Sequence, residues 1–202
     1  MFNNKPPLKI MEVKIAKTEF DVHPIIKNRW SARSFSEKPM TDDAIKTIIE
    51  AGHWMFSAMN EQPWRFIYAK KNTPAFETIL SSLAHGNAIW AKNASAFIVC
   101  VVKTDFDKEG NPFNAWAEHD MGAANAGMIL QASTMDIYAH PMAGFNPEVI
   151  KEHFNLPDNL KPFVVNAFGY LDNPEKLEEP FLTRETTART RKSLDEIILF
   201  QE

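Results

Sequence analysis

Between residues 41 and 56 the apolar positions return every third or fourth residue: Ile45, Ile48, Ile49 and Gly52 stand at i, i+3, i+4 and i+7. That spacing is one face of a helix turned toward a core. Thr41 precedes it as an N-cap, and Asp42 and Asp43 put negative charge in the first turn, where the helix dipole favours it. A helix is therefore predicted from Thr41 to about Phe56. Other segments are continuous apolar runs: RFIYA (65–69), AFIVCVV (96–102) and FVVNAFGY (163–170) predict strands, the last two buried on both faces. Shorter helices are predicted over 23–30 and 74–83. Another starts at Asn146 and Pro147, an N-cap followed by proline, with Val149, Ile150 and Phe154 on one side. The run 194–200 is apolar enough to predict an added edge strand.

The segment 114–136 is helical in pattern but unusual in content, holding Gly122, Ala123, Ala124, Ala126, Gly127 and Ala132. Interior glycine costs a helix roughly 1 kcal/mol, so two of them point to close packing against another backbone. Three strands interleaved with helices predict an α+β fold, a single sheet flanked by helices. Residues 1–20 have no clear period and read as an N-terminal arm, which leaves 21–202 as one domain.

Composition narrows the class. Of 202 residues 45% are apolar and 24% charged, the balance of an ordinary globular protein. A net charge of −4 weighs against non-specific nucleic-acid binding. Cys100, the single cysteine, lies in the apolar run 96–102 as a buried thiol and excludes an internal disulfide. With no run of 18 apolar residues and no signal-peptide stretch, the expectation is a cytoplasmic protein that does not engage membranes.

Several chemistries are excluded by motif. Gly122 and Gly127 have the spacing of a phosphate-binding loop, but Met128 and Ile129 stand where Lys and Ser or Thr are required, and no GxGxxG follows a strand. The six histidines include no HExxH, no GxSxG elbow exists, and no metal site is expected. His119 and Asp120 are adjacent on a helix, where neighbours project about 100° apart, so they are not expected to pair.

Two basic segments remain. RWSARSF (29–35) puts Arg29, Ser31 and Arg33 at alternate positions, on one side of an extended chain. TARTRKS supplies Arg189 and Arg191 at the same spacing. Guanidinium groups form bidentate charge-assisted bonds, and two such clusters suit a phosphate; each alone also reads as a solvated linker.

The stretch RWSARSFSEKPMTDDAIKTIIEAGHWMFSAMNEQPWRF resembles the N-terminal signature of the nitroreductase family. HPMAGFNPEVI, FVVNAFGY and RTRKSLDEIILF resemble that family's later segments in the same order. The resemblance implies a three-layer α/β/α fold, with a mixed, mostly antiparallel sheet, in an intertwined homodimer that binds FMN at the subunit interface. By matched position, Arg29 and Ser31 would hold the phosphate with Arg189 and Arg191, beside Trp30. Arg33 would sit near flavin N1 and the C2 carbonyl. The turn carrying Phe56, Ser57, Ala58, Met59, Asn60 and Gln62 would touch the flavin bound mainly by the partner. Pro141, Met142, Ala143 and Gly144 would cover another part of the ring, with a backbone N–H of Ala143 or Gly144 toward N5; Asn87 would be a further flavin contact. Where many relatives have Pro-Ser-Ser this chain has Phe56, Ser57 and Ala58, which removes one hydroxyl.

The activity so implied is ping-pong transfer of hydride from NADH or NADPH, through flavin N5, to a small-molecule acceptor such as a nitroaromatic or quinone, with no catalytic side chain required. A specialised relative (a reductive dehalogenase, a flavin-fragmenting enzyme or a substrate dehydrogenase) and a flavin-binding protein without turnover stay open. A lid, if present, is expected between residues 105 and 116.

Overall fold

The computed structural model describes residues 12–110 and 112–200. Four strands, β1 (Trp64–Lys70), β2 (Ala96–Lys103), β3 (Tyr138–Met142) and β4 (Leu160–Gly169), form one sheet in the spatial order β1-β2-β4-β3, and each neighbouring pair is antiparallel. The main helices are α1 (Pro24–Asn28), α2 (Asp42–His53), α3 (Pro74–Ser82), α4 (His85–Ala91), α5 (Ala117–Thr134), α6 (Pro147–His153) and α7 (Phe181–Thr186).

Strand β2 explains the three layers. Every residue but the last is buried. Ala96, Ile98, Cys100 and Val102 pack with α2 and α5 on one face, while Phe97, Val99 and Val101 pack with α3, α4 and α6 on the other. Strand side chains alternate between faces, so a strand covered on both sides must be apolar at every position. The architecture is the α+β, three-layer arrangement that the residues and the resemblance imply.

The capping signals operate as read: Thr41 Oγ1 accepts from Ala44 N at 3.1 Å, and Asn146 Oδ1 accepts from Glu148 N at 3.1 Å. Close approach accounts for two glycines. A Cβ on Gly52 would meet Met128 Cγ at 2.6 Å and Ala124 O at 2.9 Å, and one on Gly127 would meet Met55 Cγ at 2.8 Å. At Gly122, by contrast, a Cβ meets nothing within 4 Å.

Three elements differ from expectation. Strand β3 is too short and too interrupted by Pro141 to show a strand pattern; it lies at the sheet edge, where proline's missing N–H is tolerated. Helix α4 has seven residues and no side-chain cap bond, hence no sequence signal. The run 194–200 is not an edge strand: Ser193 and Glu196 form a capping box that draws it into a 3-10 turn, leaving Leu199 98% and Phe200 78% exposed. Of the expected N-terminal arm, residues 1–11 lie outside the described residues.

Candidate functional site

Helix α1 ends at Asn28, and the chain continues in extended conformation from Arg29, so Arg29, Ser31 and Arg33 turn to one side. After α7 the tail runs back alongside. Arg189 donates from both terminal guanidinium nitrogens to the carbonyls of Lys27 and Arg29, satisfying acceptors that the end of a helix leaves unpaired. The two basic segments thereby wall a cavity of about 650 Å³, lined by Arg29, Ser31, Arg33, Arg189 and Arg191 together with Lys14 and His140.

Its electrostatics are lopsided. Burial, and after it the charge of Arg191, lowers the pKa of Arg29; burial, then Arg29 and Arg191, lowers that of Arg189. The cations crowd one another in a partly dry place. One buried carboxylate answers them: Glu185 accepts from Trp30 Nε1 and from the Arg33 backbone N, both at 3.1 Å, and lies 3.9 Å from Arg33 Nη1. Burial pushes the Glu185 carboxyl up, against the opposing pull of Trp30, Lys14 and Arg33. His140 donates from Nδ1 to the Ala32 carbonyl at 3.0 Å, and its pKa is pushed down to about 4, by burial first and Arg33 second. It is neutral near pH 7. The Nε atoms of Arg29 and Arg189 are buried and have no hydrogen-bond partner among the described residues. Unpaired buried donors and an excess of positive charge are the complement of a polyvalent oxyanion.

Trp30 also lines the cavity, but its ring N–H is spent on Glu185 and its face packs against Tyr138, with centroids 4.5 Å apart.

The other expected site residues lie outside this cavity. The turn that begins at Phe56 is held by the Asp120 carboxylate, whose Oδ2 accepts from Ala58 N at 3.0 Å, and by Ser57 Oγ, which accepts from Gln62 N at 3.0 Å. These bonds hold Met59, Asn60 and Gln62 at φ of 54°, 57° and 51°, a left-handed region costing a side chain other than Gly or Asn roughly 1–2 kcal/mol. Gln62 Nε2 donates to Asn60 O at 3.1 Å, while Phe56 and Met59 remain 68% and 74% exposed. Pro141 and Met142 follow His140 on β3. Past them, the Gly144 carbonyl accepts from Ala84 N at 2.9 Å and from Asn87 Nδ2 at 3.1 Å, so Asn87, on α4, buttresses the Ala143 and Gly144 segment. The loop after β2 is fastened at its base: Lys103 Nζ lies 2.7 Å from Asp105 Oδ1 and 2.9 Å from Asp107 Oδ1.

His119 and Asp120 do pair, with Nδ1 3.0 Å from Oδ1. The angle between adjacent helix positions separates the Cβ atoms, but the imidazole reaches back over the buried carboxylate. Lys14, Glu185, Asp120 and His140 are the site and supporting residues that sequence reasoning missed. Only His140 carried a signal, standing next to Pro141.

Fold and site define a three-layer α+β protein in which segments far apart in sequence, 14–33 and 183–191, wall an arginine-lined cavity. A sequence model of the Nitroreductase family matches residues 26–83 and 69–170, and the chain belongs to that family. It is 30% identical over 164 residues to a Methanothermobacter thermautotrophicus protein named "Putative NADH dehydrogenase/NAD(P)H nitroreductase", covering 78% of this chain and 81% of the relative. A Mycolicibacterium smegmatis protein of uncharacterised function is 33% identical over 123 residues, 60% of this chain and 80% of its own length. Among solved structures, one described as an oxidoreductase containing FMN is 32% identical with a TM-score of 0.86, covering 92% of this chain and 93% of that one. A nitroreductase family protein of Streptococcus pneumoniae shares the fold at 19% identity and a TM-score of 0.71, over 88% of this chain and 98% of its own.

Proposed function

We propose that this protein is an FMN-dependent oxidoreductase that takes hydride from NADH or NADPH and passes it to small planar acceptors such as nitroaromatics or quinones. The observation that carries the reading is the pair of buried Nε donors on Arg29 and Arg189, unpartnered among the described residues, on side chains that line a cavity rich in cations. The donor set fits the dianionic phosphate of FMN, which carries a charge of about −1.5 to −2. Membership of the nitroreductase family and the 32% identity to a protein described as containing FMN support the same cofactor.

When bound, FMN supplies the hydride chemistry. The chain's part is to bind and orient. Arg29, Ser31, Arg189 and Arg191 take the phosphate, and Arg33 offers a fixed cation for negative charge that develops on the ring. His140, kept neutral by its surroundings, adds no further charge.

A second copy of the chain is part of the proposal. The turn bearing Ser57, Ala58, Met59, Asn60 and Gln62 is rigidly held yet does not line the cavity of its own chain, and Trp54, Phe56, Met59 and Trp116 are 58–77% exposed around it. Apolar exposure on that scale marks an interaction surface, and a homodimer would bring this turn onto the partner's flavin, while Pro141 to Gly144 would cover the opposite part of the ring.

The test is the absorbance spectrum of purified protein supplied with FMN, before and after NADH or NADPH under anaerobic conditions. A bound flavin bleached by either nucleotide, then reoxidised by a quinone or nitroaromatic, is the expected result. Bound flavin that neither nucleotide bleaches indicates a binding protein without turnover. Protein that binds no FMN ends the reading.

A further inference from the structure

Lys14 is buried, with 5% of its surface exposed, although it comes from the N-terminal segment that sequence reading set aside. Its ammonium donates to the Arg184 carbonyl at 2.8 Å and the Thr187 carbonyl at 2.7 Å, 170 and 173 positions along the chain. Both acceptors belong to the last turn and cap of α7, directly before Arg189 and Arg191. The same residue lines the arginine cavity. Burying an ammonium group is costly, and burial is the leading cause that lowers the Lys14 pKa, so the residue is not there by default.

We infer that Lys14 is a positioning residue of the anion site: it clamps the C-terminal end of α7 so that Arg189 and Arg191 face Arg29 across the cavity. This inference rests on the FMN reading and deepens it. The clamp is double. On the other side of the tail Arg189 donates to the Lys27 carbonyl, which also accepts from Ala16 N at 2.9 Å, two residues beyond Lys14. The N-terminal segment, the end of α1 and the basic tail are therefore tied together by four bonds, two at the Lys14 ammonium and two at the Lys27 carbonyl. Lys14 lines the cavity, and Glu185, Arg33 and Arg189 are its charged neighbours.

The experiment compares Lys14→Met, Lys14→Gln and Lys14→Arg in the full chain, each freed of flavin and titrated with FMN and separately with riboflavin, which lacks the phosphate. Lys14→Met removes two charge-assisted bonds, and its FMN affinity is expected to fall by about tenfold or more, with riboflavin affinity unchanged. Lys14→Arg restores most of the loss, and Lys14→Gln, a neutral donor, falls between. Should Lys14→Met not fold, the Gln and Arg variants decide by the same comparison. FMN binding by Lys14→Met equal to wild type overturns the inference while leaving the FMN reading intact. Equal losses of FMN and riboflavin, accompanied by a lower melting temperature, also overturn it, since the role is then only structural. Wild-type protein that binds neither flavin overturns the FMN reading and this inference with it.

Discussion

Replacing Arg29 by Met tests the anion cavity through two effects of opposite sign. In the free protein the Arg29 guanidinium is a burden: burial and the nearby Arg191 disfavour its charge, its Nε has no partner among the described residues, and its bond to Ser31 Oγ is long at 3.3 Å. Met keeps the aliphatic stem and removes the charge. The acceptor role of the Arg29 carbonyl toward Arg189 belongs to the backbone and survives. The flavin-free variant should therefore melt no lower than wild type. With phosphate present the balance reverses, because hydrogen bonds to charged groups contribute about 1.5–3 kcal/mol each, and FMN affinity should fall roughly ten- to hundredfold. Flavin-fluorescence titration and thermal melts of the same flavin-free preparations read both quantities. The affinity gap should narrow at about 1 M salt, where the screening length drops to roughly 3 Å. A variant that melts several degrees lower yet binds FMN like wild type would refute the reasoning, since Arg29 would then be a scaffold residue.

Three further outcomes follow from the geometry. Asp120→Ala leaves the Ala58 N–H without its acceptor, at a cost of about 1–3 kcal/mol, and should lower the melting temperature by several degrees; Asp120→Asn, which keeps an acceptor oxygen, should lose less. Gly52→Val forces side-chain atoms into Met128 and the Ala124 carbonyl and should cost about 1–3 kcal/mol, seen as a lower urea midpoint. For His140 the folded-state pKa is depressed from 6.5 to about 4, so its contribution to stability is fully present above pH 6.5 and is lost as pH falls through about 4. The loss is at most about 3 kcal/mol, and urea titrations of His140→Gln between pH 7 and 4 should show a flatter dependence than wild type.

How much was legible beforehand divides along a physical line. Helix α2, its Thr41 cap, the Asn146 cap of α6 and the doubly covered strand β2 were readable because each is written in local periodicity and local hydrogen-bonding chemistry. Strand β3 was not, because five residues with a proline carry no alternation, and its place is set by pairing with β4 from Tyr138 to Met142. The apolar run 194–200 misled for the opposite reason: hydrophobicity predicted a strand where Ser193 and Glu196 form a local cap. The pairing of His119 with Asp120 escaped an argument that counted Cβ directions but not side-chain reach.

The sequence by itself determined which side chains can meet an oxyanion, Arg29, Ser31 and Arg33 at one end and Arg189 and Arg191 at the other, since alternation on an extended chain is a local property. Their meeting was decided only in three dimensions. Arg189 reaches the Arg29 carbonyl across 160 positions, and Lys14 holds the tail across 170; no period or motif encodes contacts of that span. The same holds for Glu185, which an isolated helix would leave in solvent and which the packed protein buries among cations. Charge is written residue by residue, but burial and convergence, which turn charge into a binding site, belong to the folded whole.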